Sequence, residues 1–342
     1  MKILQSLEIK TFMSMERPSY ENPQILPLKE TAEERAYREL REKFEQPERI
    51  DLYEGAETLN VRDIQPEQLK TEVPTVWMKG WGTTSDSYKD NILGLAERGR
   101  RVLAVDNVYG VEGAEAEEVD AQKAKELGLE GLMLDKVIAY LKMLDMKEGL
   151  DKVDVVAHSE GAIHAIYAAM LRPDRFRSLV LVDPAGMVGE DNWKRLISGA
   201  AIDVMHLQGL NLLKREGIGG MVKKSAKASK ELFKSVKAGY KEAGESIGII
   251  SKTKIHELLE MVRAQGIKVS IVHGVDDKFF NMEDVQEMTE KGMIDGFYST
   301  KGTHNEVYLN PRPYTTLIDQ GLDSLEKLHE KEAEKKTERV AA

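Results

Sequence analysis

Residues 153–162 read VDVVAHSEGA, in which a mostly apolar run meets a turn and then a helical pattern. The turn is a small-x-Ser-x-Gly unit with Ser159 at its centre. A sharp strand-to-helix turn of this kind strains the backbone at the serine and exposes its hydroxyl. Strand and helix then nearly touch, so the positions two before and two after the serine must be small, as Ala157 and Gly161 are. The stretch therefore predicts a nucleophile elbow.

Strand and helix patterns alternate on both sides of this elbow. Short, almost continuously apolar runs predict strands at residues 75–78, 102–105, 153–157, 179–182, 269–272 and 297–299. Helical patterns lie between them at residues 88–98, 131–144, 162–171 and 282–291. Strands that are apolar on both faces are typical of a parallel sheet with helices on each side. The predicted fold class is therefore α/β, with a mostly parallel, doubly covered central sheet.

The alternation is interrupted once. Residues 186–254 are helical in pattern, rich in lysine and without a strand pattern, which predicts an all-helical cap inserted into the core. We expect an N-terminal extension with the first core strands at 1–72, core at 73–185, cap at 186–254, core at 255–330 and a charged tail at 331–342. In the first part, residues 9–13 resemble a strand, and one face of a charged helix carries Ala36, Tyr37, Leu40 and Phe44.

Composition excludes several classes of protein. With 41% hydrophobic residues among 342, the chain has enough apolar material for a large core, which argues against global disorder. A net charge of −10 argues against a general nucleic-acid binder. The absence of cysteine excludes disulfides and thiolate chemistry. We find no signal-peptide pattern and no apolar run long enough for a transmembrane helix, so we expect a cytoplasmic protein.

A serine hydroxyl needs an adjacent base, and after an elbow the partners follow in the order acid, then histidine. His304 lies in the Gly-containing stretch KGTHN, directly after the last predicted strand, where a loop can reach Ser159. His273 is interpreted as a packing residue at the end of a strand, and His329 lies in a highly charged region. His304 is therefore the predicted base.

The acid is expected just after the penultimate strand. Two adjacent carboxylates compete there, and Asp277 is preferred to Asp276. Asp183, at the end of the strand pattern at 179–182, is a third candidate. The other histidines show no paired spacing with carboxylates that would suggest a metal site, so the sequence predicts none: His158, His164, His206 and His256.

Backbone N–H groups must stabilise the oxyanion of a tetrahedral intermediate. One predicted donor is Glu160, the residue after the serine, and the other is Trp81 in the stretch KGWGTT after the strand pattern at 75–78. Gly80 and Gly82 on either side of Trp81 allow the backbone to approach a substrate closely. A dinucleotide-binding interpretation of these glycines is weak, because the third glycine of that motif is missing.

Together these motifs resemble the α/β-hydrolase superfamily, over roughly residues 74–328. LRPDRF at 171–176, followed by LVLVDPAG at 179–186, resembles the segment that follows the elbow in many members. Gly274 with Asp277 resembles the acid loop, whereas Gly302, His304 and Pro311 resemble the histidine loop and the start of the last helix.

The resemblance implies an eight-stranded, mostly parallel sheet whose first strands come from residues 1–72, and it implies no metal or organic cofactor. A serine at the elbow leaves carboxylesterases, lipases, thioesterases, peptidases and carbon–carbon bond hydrolases. Lys79 replaces the histidine that usually begins the oxyanion loop, and Ala157 replaces the more common glycine.

The predicted function is serine hydrolysis of a carboxylic ester or related acyl bond in a small-molecule substrate, through an acyl-serine intermediate at Ser159. The alternative is a non-catalytic protein of the same fold that binds a ligand or partner, a hypothesis motivated by Lys79 and Ala157. Such a protein would have a distance between Ser159 and His304 too long for a hydrogen bond. Substrate identity and acyl length are not predicted.

One stripe of the cap is basic. It consists of lysines spaced four and three residues apart: Lys223, Lys227, Lys230, Lys234, Lys237 and Lys241. An apolar stripe runs beside it, which predicts a cap helix with one packed and one solvated face. The sharper interpretations are capture of an anionic substrate and contact with an anionic membrane surface.

Overall fold

The computed structural model describes residues 30–52, 58–106, 118–187, 213–214, 217–220, 222, 253, 255–280 and 282–341. Its centre is an eight-stranded sheet. The strands are β1 (Glu48–Asp51), β2 (Thr58–Ile64), β3 (Thr75–Met78), β4 (Val102–Asp106), β5 (Val153–His158), β6 (Phe176–Val182), β7 (Lys268–Gly274) and β8 (Gly296–Thr300). All six strands predicted from apolar runs are present, most of them one to three residues longer than predicted.

Strand order in the sheet is β1-β2-β4-β3-β5-β6-β7-β8. The pairs β1–β2 and β2–β4 are antiparallel, and every other neighbouring pair is parallel. The mostly parallel sheet predicted from the sequence is therefore confirmed. Because β3 to β8 run in one direction, the loops that follow them leave the sheet at the same edge.

Helices cover both faces of the sheet. In chain order they are α1 (Ala32–Glu45), α2 (Lys89–Glu97), α3 (Glu118–Glu126), α4 (Gly131–Met146), α5 (Glu160–Leu171), α6 (Ile255–Ala264), α7 (Met282–Glu290), α8 (Glu306–Leu309) and α9 (Pro311–Ala341). Buried residues of α3 to α7 form one apolar cluster with the sheet, and those of α1, α2, α8 and α9 form another. Side chains alternate between the faces of a strand, so Val155 and Ala157 join the first cluster and Val156 the second.

The predicted N-terminal helix is confirmed as α1. It begins with a capping box, in which the Thr31 hydroxyl accepts from the Glu34 N–H and the Glu34 carboxylate accepts from the Thr31 N–H. Leu40 and Phe44 are buried, whereas Tyr37 is 38% exposed, so the C-terminal half of the helix is the half that packs. Strands β1 and β2 also lie within residues 1–72, and the strand pattern at 9–13 is outside the described residues.

Most of the predicted cap, including all six lysines of its basic stripe, lies outside the described residues, so the cap stays a prediction. At the C-terminus, α9 begins at Pro311 and continues to Ala341. Residues 331–342 were predicted as a charged tail; residues 331–341 are the last turns of this helix, and the side chains of 331–339 are exposed. None of the described helices combines the length and apolar composition that crossing a membrane requires.

Candidate active site

Ser159 is the single residue between β5 and α5. Its φ is 53° and its ψ is −121°, a strained conformation for a residue with a side chain. Backbone hydrogen bonds hold it there: the Ser159 N–H donates to the Val182 carbonyl at 3.0 Å, and the Ser159 carbonyl accepts from Ala162 and Ala185 at 3.0 and 3.1 Å. The turn that the sequence predicts around Ser159 is therefore present.

Two glycines let neighbouring backbone approach the elbow. A Cβ added at Gly161 would lie 2.5 Å from the Met78 carbonyl oxygen and 2.7 Å from that of Lys79. One added at Gly80 would lie 2.8 Å from His158 Nδ1. All three distances are far below van der Waals contact, and at Gly161 the neighbours are backbone atoms, so that position requires glycine. The predicted need for a small residue after the serine thus has a specific cause, the backbone that leaves β3.

Three residues from separate loops meet beside the elbow. Ser159 Oγ lies 3.0 Å from Nε2 of His304, in the loop after β8. Nδ1 of His304 lies 2.9 Å from Oδ2 of Asp277, in the loop after β7. Since an ionised carboxylate only accepts, His304 Nδ1–H is the donor to Asp277, and Nε2 is left to accept the serine proton. His304 and Asp277 are each 5% exposed.

Aromatic rings enclose the His304 imidazole. The centroid of the Phe279 ring lies 4.5 Å from it, that of His158 at 4.9 Å and that of Phe280 at 5.4 Å. The same phenylalanines serve the acid through their backbone, because Phe279 and Phe280 N–H donate to Asp277 Oδ1 at 2.6 and 3.2 Å. The loop after β7 thus orients the Asp277 carboxylate, and its bond to His304 is nearly excluded from water.

The other two candidate acids are placed differently. Asp276 is partly exposed. Asp183 is fully buried at the end of β6, where its Oδ1 accepts from Gly274 N–H at 2.8 Å and lies 2.9 Å from His273 Nδ1. Burial raises the pKa of Asp183, even though His273 acts in the opposite direction. Of the three aspartates, Asp277 is the one that bonds His304.

Sequence reasoning missed the Asp183–His273 pair, since it interpreted His273 as a packing residue. Burial alone lowers the pKa of His273, but the hydrogen bond and charge of Asp183 more than offset this and raise it. Two buried groups in the described part of the chain bring potential metal ligands within 4.8 Å of one another: His158, Asp183 and His304, and Asp183, His273 and Asp277. Each group shares a residue with the Ser159–His304–Asp277 chain.

The two predicted oxyanion donors belong to different segments, the start of α5 and the loop after β3. Glu160 is the first residue of α5, whose N-terminus favours negative charge. Trp81 follows Gly80 in the loop after β3. That loop is closed by Thr83, whose hydroxyl donates to the Gly80 carbonyl at 2.6 Å and whose carbonyl accepts from Lys79 Nζ at 3.1 Å.

A cluster of buried charges, which sequence reasoning also missed, lies under the elbow. Lys136 Nζ is 2.9 Å from Glu160 Oε1, and both side chains are at most 1% exposed. Lys79 is 5% exposed with Nζ 3.9 Å from Asp106 Oδ1. A signal for these pairs does exist in the sequence, because Lys136 interrupts the apolar pattern of α4 and Glu160 precedes a run of small residues.

No protein-family model matches the sequence, and the search of curated proteins found no match. Solved structures do match. A bromoperoxidase from Bacillus anthracis is 16% identical with a TM-score of 0.57, covering 81% of this chain and 100% of that one. An enol-lactonase from Burkholderia xenovorans LB400 is 12% identical with a TM-score of 0.56, covering 80% and 99%.

A serine hydrolase from Cycloclasticus zankles is 14% identical with a TM-score of 0.57, covering 82% of this chain and 98% of that one. At such identities, the likeness to these three proteins is a likeness of fold. Because the match covers nearly the whole of each of these proteins, this chain shares their entire fold and not only a part of it.

Proposed function

We propose that this chain, which has the α/β-hydrolase fold, hydrolyses a carboxylic ester or related acyl bond through an acyl-serine at Ser159. One observation carries the proposal, the hydrogen-bonded chain from Ser159 through His304 to Asp277 at 3.0 and 2.9 Å. Nucleophile, base and orienting acid are recognised by this geometry rather than by sequence position. The names of two matched structures, an enol-lactonase and a serine hydrolase, agree with it.

In the first step, Ser159 Oγ attacks the carbonyl carbon of the substrate while His304 Nε2 takes the serine proton. Asp277 keeps the other imidazole nitrogen protonated and stabilises the positive ring that forms. The tetrahedral intermediate then breaks its bond to the leaving group, which receives the proton from His304. Water repeats the sequence with His304 as base, which releases the acid and restores Ser159.

Charge develops on the carbonyl oxygen in both steps. The backbone N–H groups of Glu160 and Trp81 are the proposed donors, and the N-terminus of α5 adds its dipole at the same place. Every step of this mechanism uses only the chain's own residues and water. The proposed substrate is a small molecule that carries an acyl bond.

The alternative function, non-catalytic binding, predicted a separation between Ser159 and His304 too long for a hydrogen bond. The observed distance between Ser159 Oγ and His304 Nε2 is 3.0 Å, which is within hydrogen-bond range and favours the enzymatic function.

A fluorophosphonate probe tests the proposal, because it reacts only with an activated serine. Native protein should be labelled at Ser159, and Ser159→Ala should lose the label. Ser178→Ala is the matched control. Ser178 is a buried serine near the start of β6, whereas Ser159 bonds Val182 at the end of that strand, so this variant should be labelled as native protein is. Folded native protein that stays unlabelled and inactive on a panel of esters would contradict the proposal.

A further inference from the structure

His158, the residue before the candidate nucleophile, has a place in the site that the mechanism above does not use. It is the last residue of β5 and is 2% exposed. Its ring lies between two others, with centroids 4.9 Å from His304 and 5.6 Å from Tyr88. No role for His158 was predicted from the sequence.

The hydrogen bonds of His158 determine which ring nitrogen carries the proton. Nε2 lies 3.1 Å from the backbone carbonyl oxygen of His304. A carbonyl oxygen only accepts, so Nε2–H is the donor. Burial, followed by the charge of His304, lowers the pKa of His158 well below its usual value, so the ring is neutral. Nδ1 therefore has a lone pair, and it accepts from the Tyr88 hydroxyl at 2.7 Å.

The bonds continue from Tyr88 into the oxyanion loop. The Tyr88 oxygen accepts from the Gly80 N–H at 3.2 Å. Gly80 also packs directly on the elbow, where an added Cβ would lie 2.8 Å from His158 Nδ1 and 3.1 Å from Ser159 Cβ. One directed chain thus runs from Gly80 N–H to Tyr88, from Tyr88 to His158, and from His158 to the His304 backbone.

This chain joins the segments that the proposed reaction must hold in register. Gly80 precedes the oxyanion donor Trp81, and His304 is the base. An apolar side chain at position 158 would fill the same space but would neither donate to the base loop nor accept from Tyr88. We propose that His158 and Tyr88 are positioning residues, which fix the base loop and the oxyanion loop relative to Ser159. This inference rests on the proposed function.

Two substitutions test it in the full chain, Tyr88→Phe and His158→Leu. We expect kcat for an ester substrate to fall roughly 10- to 100-fold, with KM changed less than about twofold, because misplacement of reacting groups lowers the rate of the chemical step. His158→Gln should recover part of the loss, since its amide N–H can donate to the His304 carbonyl. His329→Leu is the matched control. His329 is a partly buried histidine bonded to the backbone carbonyl of Arg177. Arg177 is near the start of β6, whereas the elbow contacts the end of that strand, so the variant should keep native kcat.

Circular dichroism and denaturation establish which variants are folded, and Tyr88→Phe, which removes one oxygen atom, keeps the test available if His158→Leu does not fold. Nitrogen-15 NMR of the native chain provides a readout independent of activity. His158 should stay neutral and protonated at Nε2 across the pH range in which an exposed histidine titrates.

The outcomes separate this inference from the proposed function. Native kcat in folded Tyr88→Phe and His158→Leu, in a protein that is active and labelled by the probe, would overturn the inference alone. An Nδ1–H tautomer at His158 would also overturn it. An unlabelled and inactive native protein would overturn the proposed function and, with it, the positioning role.

Discussion

Asp276 and Asp277 are neighbours in sequence with opposite surroundings. Asp277 is 5% exposed, receives two backbone N–H groups and bonds His304. Asp276 is partly exposed. A difference in environment between two identical side chains makes each the control for the other.

At the level of single residues, we expect Asp277→Asn to lower kcat/KM by roughly 10³- to 10⁴-fold. The amide favours the wrong tautomer of His304 and provides no negative charge to stabilise the imidazolium. Asp276→Asn should change kcat/KM less than about threefold. Steady-state ester hydrolysis measures both, and a reversal of the two effects would assign the acid to Asp276.

Lys79 is a charged side chain in a setting from which water is almost excluded. Burial lowers the pKa of Lys79 to about 8, although the charge of Asp106 acts in the opposite direction. In the unfolded chain the lysine keeps its ordinary value of 10.5. Between these two values the unfolded state binds more protons than the folded state, so this group's contribution to stability rises as the pH increases.

We therefore expect the difference in free energy of unfolding, native chain minus Lys79→Met, to increase by on the order of 3 kcal/mol between about pH 7 and about pH 10.5. Urea denaturation at intervals across this window measures the difference. Lys152→Met, at an exposed lysine, should give a curve parallel to that of the native chain. Parallel curves for Lys79→Met as well would show that Lys79 titrates normally.

At the level of elements, the elbow depends on how closely α5 approaches the end of β3. The contact is between Gly161 and the carbonyl groups of Met78 and Lys79. Backbone atoms cannot move aside as the end of a flexible side chain can. The first turn of α5 can therefore approach the end of β3 this closely only with a glycine at position 161.

Gly161→Ala should lower the free energy of unfolding by roughly 1–3 kcal/mol or more, because the added methyl group overpacks this contact. It should also reduce labelling of Ser159, since α5 must shift away from the loop after β3, which holds the proposed oxyanion donor Trp81. Gly219→Ala is the control, because among the described residues none lies within 4 Å of a Cβ added there, in a helical stretch. It should leave stability unchanged or slightly increased, and equal effects of the two substitutions would contradict the close-packing argument.

At the level of the whole molecule, α9 holds one face of the sheet together. Its buried Ile318, Leu322 and Leu325 belong to the apolar cluster on that face. Asp319 accepts from the fully buried Arg100 at 2.6 Å, and Glu326 accepts from Arg177 at 3.0 Å. From residue 331 to residue 339 the side chains are exposed.

Deletion of residues 331–342 should therefore shift Tm by less than about 3 °C and leave activity intact, since the surface ion pair of Lys268 with Glu332 adds little. Deletion of residues 318–342 should abolish folding. Each large aliphatic side chain removed from a core costs about 2–5 kcal/mol, and a domain has only about 5–15 kcal/mol in total. Thermal unfolding of the two truncated chains distinguishes these outcomes. A cooperative transition in the chain that lacks residues 318–342 would contradict the proposed role of α9.

Sequence alone was sufficient for features that depend on near neighbours. The elbow around Ser159, the six apolar strands and the helices between them follow from spacings of two to four residues, which local geometry converts directly into structure. The loop position of His304 and the pair of candidate acids were predicted for the same reason. Two strands near the N-terminus, Glu48–Asp51 and Thr58–Ile64, were not individually predicted, because the first is short and mostly exposed and the second is only half buried, so neither contains a continuous apolar run.

Tertiary structure was needed wherever a contact joins distant parts of the chain. His304 meets Ser159 across 145 positions and receives the His158 bond across 146, and these separations close only because the parallel strands end at one edge of the sheet. The same convergence selects Asp277 over its neighbour and pairs Asp183 with His273 and Lys136 with Glu160. The partner of a polar side chain depends on where the strands place the two residues in space. The distance between them in the folded chain cannot be read from their spacing in the sequence.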